Sequence, residues 1–158
     1  LYATFGKFRQ AGLVLSIVPL ALFGGMLALN VRGMTLNVSS AVGFIAMFGL
    51  SIQNGIIMVS QINNLRKGGM ELRKSVIEGA RQRFRPILMT SVTTVLGLFP
   101  ASLATGIGSD VQRPLATVIV YGLMFSALIS MFVLPVFYYL IENNVLNKKK
   151  NDEKEYTL

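Results

Sequence analysis

The sequence predicts an all-α membrane protein of four transmembrane helices with an amphipathic cytoplasmic connecting helix, and three observations carry that expectation. First, four long stretches contain no charged side chain. They lie between Arg9 and Arg32, Arg32 and Arg66, Arg85 and Asp110, and Arg113 and Glu142, with 22, 33, 24 and 28 residues inside the bounding charges. A helix rising 1.5 Å per residue needs about 20 apolar residues to cross about 30 Å of hydrocarbon. Second, the chain is 53% hydrophobic and 14% charged, which leaves too little polar surface to cover a soluble core made of such helices. Third, the basic residues are segregated. With four crossings, one side holds Lys7, Arg9, Arg66, Lys67, Arg73, Lys74, Arg81, Arg83, Arg85, Lys148, Lys149, Lys150 and Lys154, while the other holds only Arg32 and Arg113. By the positive-inside rule the crowded side is cytoplasmic, so both termini are expected there.

The transmembrane domain is expected over residues 1–142. Its first span, residues 11–30, contains Pro19; a proline inside a membrane helix is tolerated where neighbouring helices cover the freed carbonyl, so a bent helix in a bundle is expected. Residues 31–36 form the far-side turn. The second span, residues 37–62, is long enough to imply tilt or an extension beyond the membrane. After Gly68 and Gly69, residues 70–84 place Leu72, Val76, Ala80 and Phe84 at every fourth position with basic residues opposite. That pattern suits an amphipathic helix on the membrane surface, or a solvated connector. Pro86 then opens the third span, residues 86–105, at a first-turn position that tolerates proline. Residues 106–113 form the second far-side turn, and Pro114 opens the fourth span, residues 114–140. Tyr138 and Tyr139 at its end suit an interfacial aromatic belt. The lysine-rich tail, residues 143–158, is expected to be disordered.

Composition excludes several functions. The chain has neither Cys nor His, so disulfides, thiolate zinc sites and imidazole chemistry are absent. The net charge of +8 faces anionic headgroups of the lipid bilayer, and no nucleic-acid partner is needed to explain it. No Asp, Glu, Lys, Arg, His or Cys lies inside the spans, which argues against an intramembrane enzyme and against ion passage by this chain alone. No cofactor is implied. Thioethers can bind monovalent copper, but the span methionines show no close pair and read as apolar filler. The first residue is Leu1 with no signal segment after it, so a fragment of a longer protein is expected.

The polar residues of the spans are Ser51, Gln53 and Asn54 in the second and Thr90, Ser91, Thr93 and Thr94 in the third. Two readings stand: hydrogen bonding between helices, or one side of a polar relay whose charged members lie elsewhere. Gly43, Gly49 and Gly55 read as points of close helix approach.

Three runs then carry a resemblance: GFIA at 43–46 leading to GLSIQNGIIMV at 49–59, RFRPILMTS at 83–91, and GIGSDVQRPLA at 106–116. In order and spacing the chain, apart from its tail, resembles the last four of the twelve helices of a resistance-nodulation-division (RND) efflux transporter. The GSDVQRPLA turn is closer to the heavy-metal branch than to the multidrug branch. The resemblance implies a homotrimeric, multi-pass pump of the bacterial inner membrane, driven by proton influx. It would export heavy-metal cations through a periplasmic adaptor and an outer-membrane channel. It also implies a proton-relay neighbourhood at Gln53, Asn54, Thr90 and Ser91, with the acidic members on the rest of the same transporter chain, and a cytoplasmic mouth at Arg83 and Arg85. Glutamine cannot titrate, so Gln53 could serve only through hydrogen bonds. An exporter of drugs or other hydrophobic substrates, and a free-standing four-span scaffold, are the competing expectations.

Overall fold

The computed structural model describes residue 6 and residues 8–155, with side chains through residue 149. Residues 1–5, Lys7 and residues 156–158 lie outside the described residues, as do the side chains of residues 150–155, Lys150 and Lys154 among them. The described residues form four helices: α1 (Phe8–Val31), α2 (Val38–Lys67), α3 (Leu72–Ser102) and α4 (Ser109–Glu155). All four are long and apolar enough to cross a membrane. The helical state follows from the solvent: hydrocarbon offers no hydrogen bonds, so each backbone amide must find its partner within its own segment.

Local chemistry sets the ends. Asn37 caps α2 through a capping box, its side-chain oxygen accepting from the Ser40 amide at 2.9 Å while Ser40 Oγ accepts from the Asn37 amide at 2.9 Å. The turn from α2 into α3 passes through Gly69 at φ +86°, a conformation that a Cβ disfavours.

Proline does not end helices here. Pro19, Pro86, Pro100, Pro114 and Pro135 all lie inside them. Consequently the amphipathic segment is present as the first half of α3, continuous through Pro86, and not as a separate element. Its stripe does not lie flat on a surface either. Val76 is buried, and Leu72 and Ala80 pack against the core, while Phe84 is exposed. The tail expected to be disordered continues as helix to Glu155. After Pro135 the sequence contains neither Gly nor Pro, and its lysines and glutamates are good helix formers, so polarity alone does not terminate α4.

The central helix is α4, which packs against each of the other three; α2 also packs against α1 and α3. Two thirds of the most apolar window of α4 is buried (67%), against 11% for α3. Contacts between α2 and α4 advance together along both chains: Gly43 with Val118, Met47 with Gly122, Asn63 with Tyr138 and Arg66 with Glu142. The two helices are therefore parallel, in a register offset of 75 to 76 residues. Two apolar clusters fill the bundle. The larger, towards the basic end, includes Val14, Ile17, Met58, Ile62, Leu134 and Tyr138; the smaller, towards the far end, comprises Ala21, Leu29, Met47 and Val118.

Glycine permits the closest approaches. A Cβ on Gly43 would stand 3.0 Å from the Leu115 carbonyl oxygen, and one on Gly55 2.8 Å from Val14. Gly49, expected to do the same, meets nothing within 4 Å and is exposed. A Cβ on Gly24 would lie 2.6 Å from Phe125 Cβ, an atom that cannot swing aside without moving α4.

These contacts set a pair of expected outcomes. Gly24→Val overpacks the α1–α4 seam and lowers stability by about 1–3 kcal/mol, read as the thermal midpoint of the detergent-solubilised protein. Gly49→Ala leaves that midpoint unchanged or raises it, since alanine is the better helix former.

Candidate functional site

Two polar ties hold the basic end together. In the first, Gln10 on α1 and Asn63 on α2 exchange reciprocal amide hydrogen bonds of 2.9 and 2.8 Å, and the Tyr138 hydroxyl on α4 donates to the same Asn63 Oδ1 at 2.6 Å. One turn further along, Arg66 Nη1 meets Glu142 Oε1 at 2.5 Å. The second tie joins α2 to α3: Gln61 Nε2 donates to Gln82 Oε1 at 2.6 Å, and Arg83 Nη2 donates to Gln61 Oε1 at 3.0 Å. Bonds of this kind gain little on balance, but a partner removed from a buried group leaves that group's desolvation uncompensated. Tyr138, expected at a lipid-facing belt, is 1% exposed and points inward to Asn63. At the far end Arg32 Nη1 donates to Thr117 Oγ1 at 3.2 Å, linking α1 to α4.

The six residues singled out in the sequence divide between two surroundings. Gln53 and Thr90 are exposed, whereas their chain neighbours Asn54 and Ser91 are buried at 9% and 6% exposure. The antiparallel register of α2 and α3 relates the exposed pair. From the Gln61–Gln82 bond, eight residues back along α2 lead to Gln53 and eight forward along α3 lead to Thr90. Both lie about 12 Å deeper at 1.5 Å per residue. Gln53 and Thr90 are thus level on the outer surface of the bundle. Arg83 is half-buried and tied to Gln61, and Arg85 is exposed.

The interhelical hydrogen bonding expected of the span hydroxyls comes from elsewhere. Thr90 and Thr94 donate to carbonyls one turn back in their own helix, Pro86 and Thr90, both at 2.9 Å. Ser51, Ser91, Ser126 and Ser130 have buried hydroxyl oxygens without a partner, although Ser16, Ser75 and Ser102 bond a local carbonyl. The α2–α4 register puts Ser51 level with Ser126. The interior of the bundle therefore carries hydroxyls free to bind water or a neighbouring group. The clasp residues Gln10, Asn63, Arg66, Tyr138 and Glu142 escaped the sequence reading. Their one legible signal was Glu142 closing the fourth charge-free run at the same end as Arg66. Met47 and Met58 are fully buried as packing residues. Among the described residues no group of three or more His, Cys, Asp or Glu could hold a metal ion.

Comparison with known proteins adds an independent line. The sequence model described as the AcrB/AcrD/AcrF family matches residues 1–142. The chain is 45% identical over 140 residues to the cobalt-zinc-cadmium resistance protein CzcA of Cupriavidus metallidurans, covering 89% of this chain and 13% of that protein. It is 45% identical over 135 residues to the nickel and cobalt resistance protein CnrA of the same organism, covering 85% of this chain and 12% of that protein. Two crystal forms of a heavy metal efflux pump are similar in fold. The first has a TM-score of 0.79 at 54% identity, covering 88% of this chain and 14% of that chain; the second has 0.81 at 52%, covering 90% and 14%. The chain thus spans roughly an eighth of the length of the curated relatives it matches.

The clasp generates its own test. Glu142→Gln removes the charge opposite the half-buried Arg66 guanidinium. We expect it to lower stability by about 1–3 kcal/mol, between the values for exposed and buried pairs. The thermal midpoint should fall accordingly, and the added Arg66→Gln change should cost less than it does alone.

Proposed function

Because this chain belongs to the AcrB/AcrD/AcrF family, whose members are larger multi-pass membrane transporters, we propose that it forms the last four of twelve helices in a proton-driven RND pump exporting heavy-metal cations. The observation that carries this reading is the agreement, in sequence and in fold, with relatives whose names specify metal resistance or heavy-metal efflux. The GSDVQRPLA run at 108–116, which opens α4, supports the same branch.

In this reading the chain supplies the uncharged half of a proton relay. The outer surface carrying Gln53 and Thr90 turns towards the remainder of the transporter. There Gln53 donates and accepts hydrogen bonds to an acid on another helix, and the Thr90 hydroxyl leaves the Pro86 carbonyl by rotation about χ1. Asn54 and Ser91, one residue further along each helix, line the interior behind them. Two features support a covered surface: α3 buries little of its apolar window within this chain, and the exposed Gly97 leaves room for close approach. Arg83 and Arg85 would border the cytoplasmic mouth. The remaining parts of the proposal are a homotrimer in the bacterial inner membrane, a periplasmic adaptor, an outer-membrane channel, and cytoplasmic termini.

The test is export by the full-length pump. Thr90→Ala and Gln53→Ala each remove a hydrogen bond worth about 1–2 kcal/mol, so proton-coupled metal flux in proteoliposomes should fall about ten-fold with folded protein unchanged. Undiminished flux in both variants would reduce these residues to packing positions. Orientation is tested separately: in a cysteine-free pump, the Lys149→Cys variant should react with an impermeant maleimide only after the cytoplasmic side is opened, and reaction from the periplasm would invert the topology.

A further inference from the structure

Past the fourth span α4 runs on as helix to Glu155, which fixes lysines that a disordered tail would scatter. Asn144 and Lys148 are four residues apart, as are Val145 and Lys149, so two neighbouring rows, each rising about 6 Å, make one wall. The first turn of α1 stands opposite. Between them lies a pocket of about 410 Å³ bordered by Arg9, Asn144, Val145, Lys148 and Lys149. No carboxylate borders it, and Glu142, one turn before, is turned to Arg66 on α2. Among the described residues Arg9, Lys148 and Lys149 make no ion pair, so three like charges converge on one hollow with no described acid to offset them. Arg9 precedes the first span and residues 144–149 follow the fourth. The pocket therefore stands outside the hydrocarbon and takes its occupant from the water or from the headgroup layer.

We propose that this pocket between α1 and α4 is a binding site for a phosphate group, supplied by a soluble phosphate or by the headgroup of an anionic phospholipid at the same surface. The lining chemistry selects it. Arg9, Lys148 and Lys149 can only donate hydrogen bonds, and the Asn144 amide adds a further donor. The oxygens of a tetrahedral phosphate point in several directions and accept from both walls at once, and the planar guanidinium fork matches two of them. A carboxylate has two oxygens in one plane and serves one wall. An anion between the helices also relieves the mutual repulsion of the three cations. The site does not depend on the transport reading, since it uses only groups of this chain outside the spans.

The experiment measures how fast a succinimidyl ester acylates each lysine of the full-length pump, resolved site by site by mass spectrometry of its peptides. In neutral detergent, inorganic phosphate should slow acylation of Lys148 and Lys149, but not of the exposed Lys67 and Lys74 at the same end, relative to potassium chloride at equal ionic strength. In nanodiscs the same comparison is made between phosphatidylcholine alone and phosphatidylcholine with phosphatidylglycerol. Protection by free phosphate assigns a soluble source, and protection by phosphatidylglycerol alone assigns a headgroup. Arg9→Gln should raise the half-protecting concentration about five-fold, the effect of one basic residue near a membrane surface. Lys148→Gln should do the same with Lys149 as the reporter, and Arg81→Gln, off the pocket, should change nothing. Protection equal to that by chloride or by citrate at the same ionic strength, equal protection of Lys67 and Lys74, or no effect of Arg9→Gln and Lys148→Gln would each overturn the site. Metal flux measured on the same variants reports separately on the transport reading.

Discussion

The parallel seam between α2 and α4 is the constraint on which the rest of this structure depends. Two parallel helices that are not adjacent in sequence have no tight turn to set their register, so side chains must do so. Here Gly43 and Gly122 let the backbones approach at the far end, while Asn63 with Tyr138 and Arg66 with Glu142 close the basic end at the same offset. Small residues and polar ties are the means left to a membrane bundle, because lipid tails are as apolar as the helices and give little drive for one helix to prefer another. Once α2 and α4 are locked, α1 is held by Gln10 and by the space at Gly24 and Gly55, and α3 by the Gln61–Gln82–Arg83 tie.

This arrangement decides which groups face outward. The clasp turns α2 so that Ser51, Asn54, Met58 and Ile62 point into the bundle, which leaves Gln53 on its outer surface. The same holds on α3, where Ile87 and Ser91 turn inward and Thr90 outward. The groups assigned to a relay are consequently available to another helix, while the hydroxyls that are inaccessible from outside form a separate interior set. The structural ties and the relay candidates are different residues, which allows a change in one to be distinguished from a change in the other.

Much of the fold was legible because the bilayer imposes a length and polarity rule that composition must obey. The four long apolar helices, the Asn37 start of α2 and the turn around Gly33 followed from charge-free runs and glycine placement, whereas the turn expected over residues 106–113 is shorter, since α4 starts at Ser109. The errors at element boundaries have a common cause. Pro86 and Pro114 were read as opening spans and polarity as ending the last one, yet both prolines lie inside helices and residues 143–155 continue α4. In each case no residue actually stopped the helix. Within the candidate site, Gln53 and Thr90 stood out as polar residues in apolar spans, and the family resemblance gave them their proposed relay role. Gln10, Asn63 and Tyr138 did not stand out, because amides and a tyrosine near a membrane boundary look the same whether they meet lipid headgroups or each other.

By itself the sequence determined how many helices can cross a membrane, where the basic residues concentrate and which side chains cannot titrate, since these depend only on local composition against the thickness and dielectric of a bilayer. The rotation of each helix, the pairing of Arg66 with Glu142 and the choice between Gly49 and Gly55 as a contact were decided by tertiary structure. They depend on register between segments far apart in the chain, and helices that are apolar around their whole circumference carry no periodicity from which that register could be read.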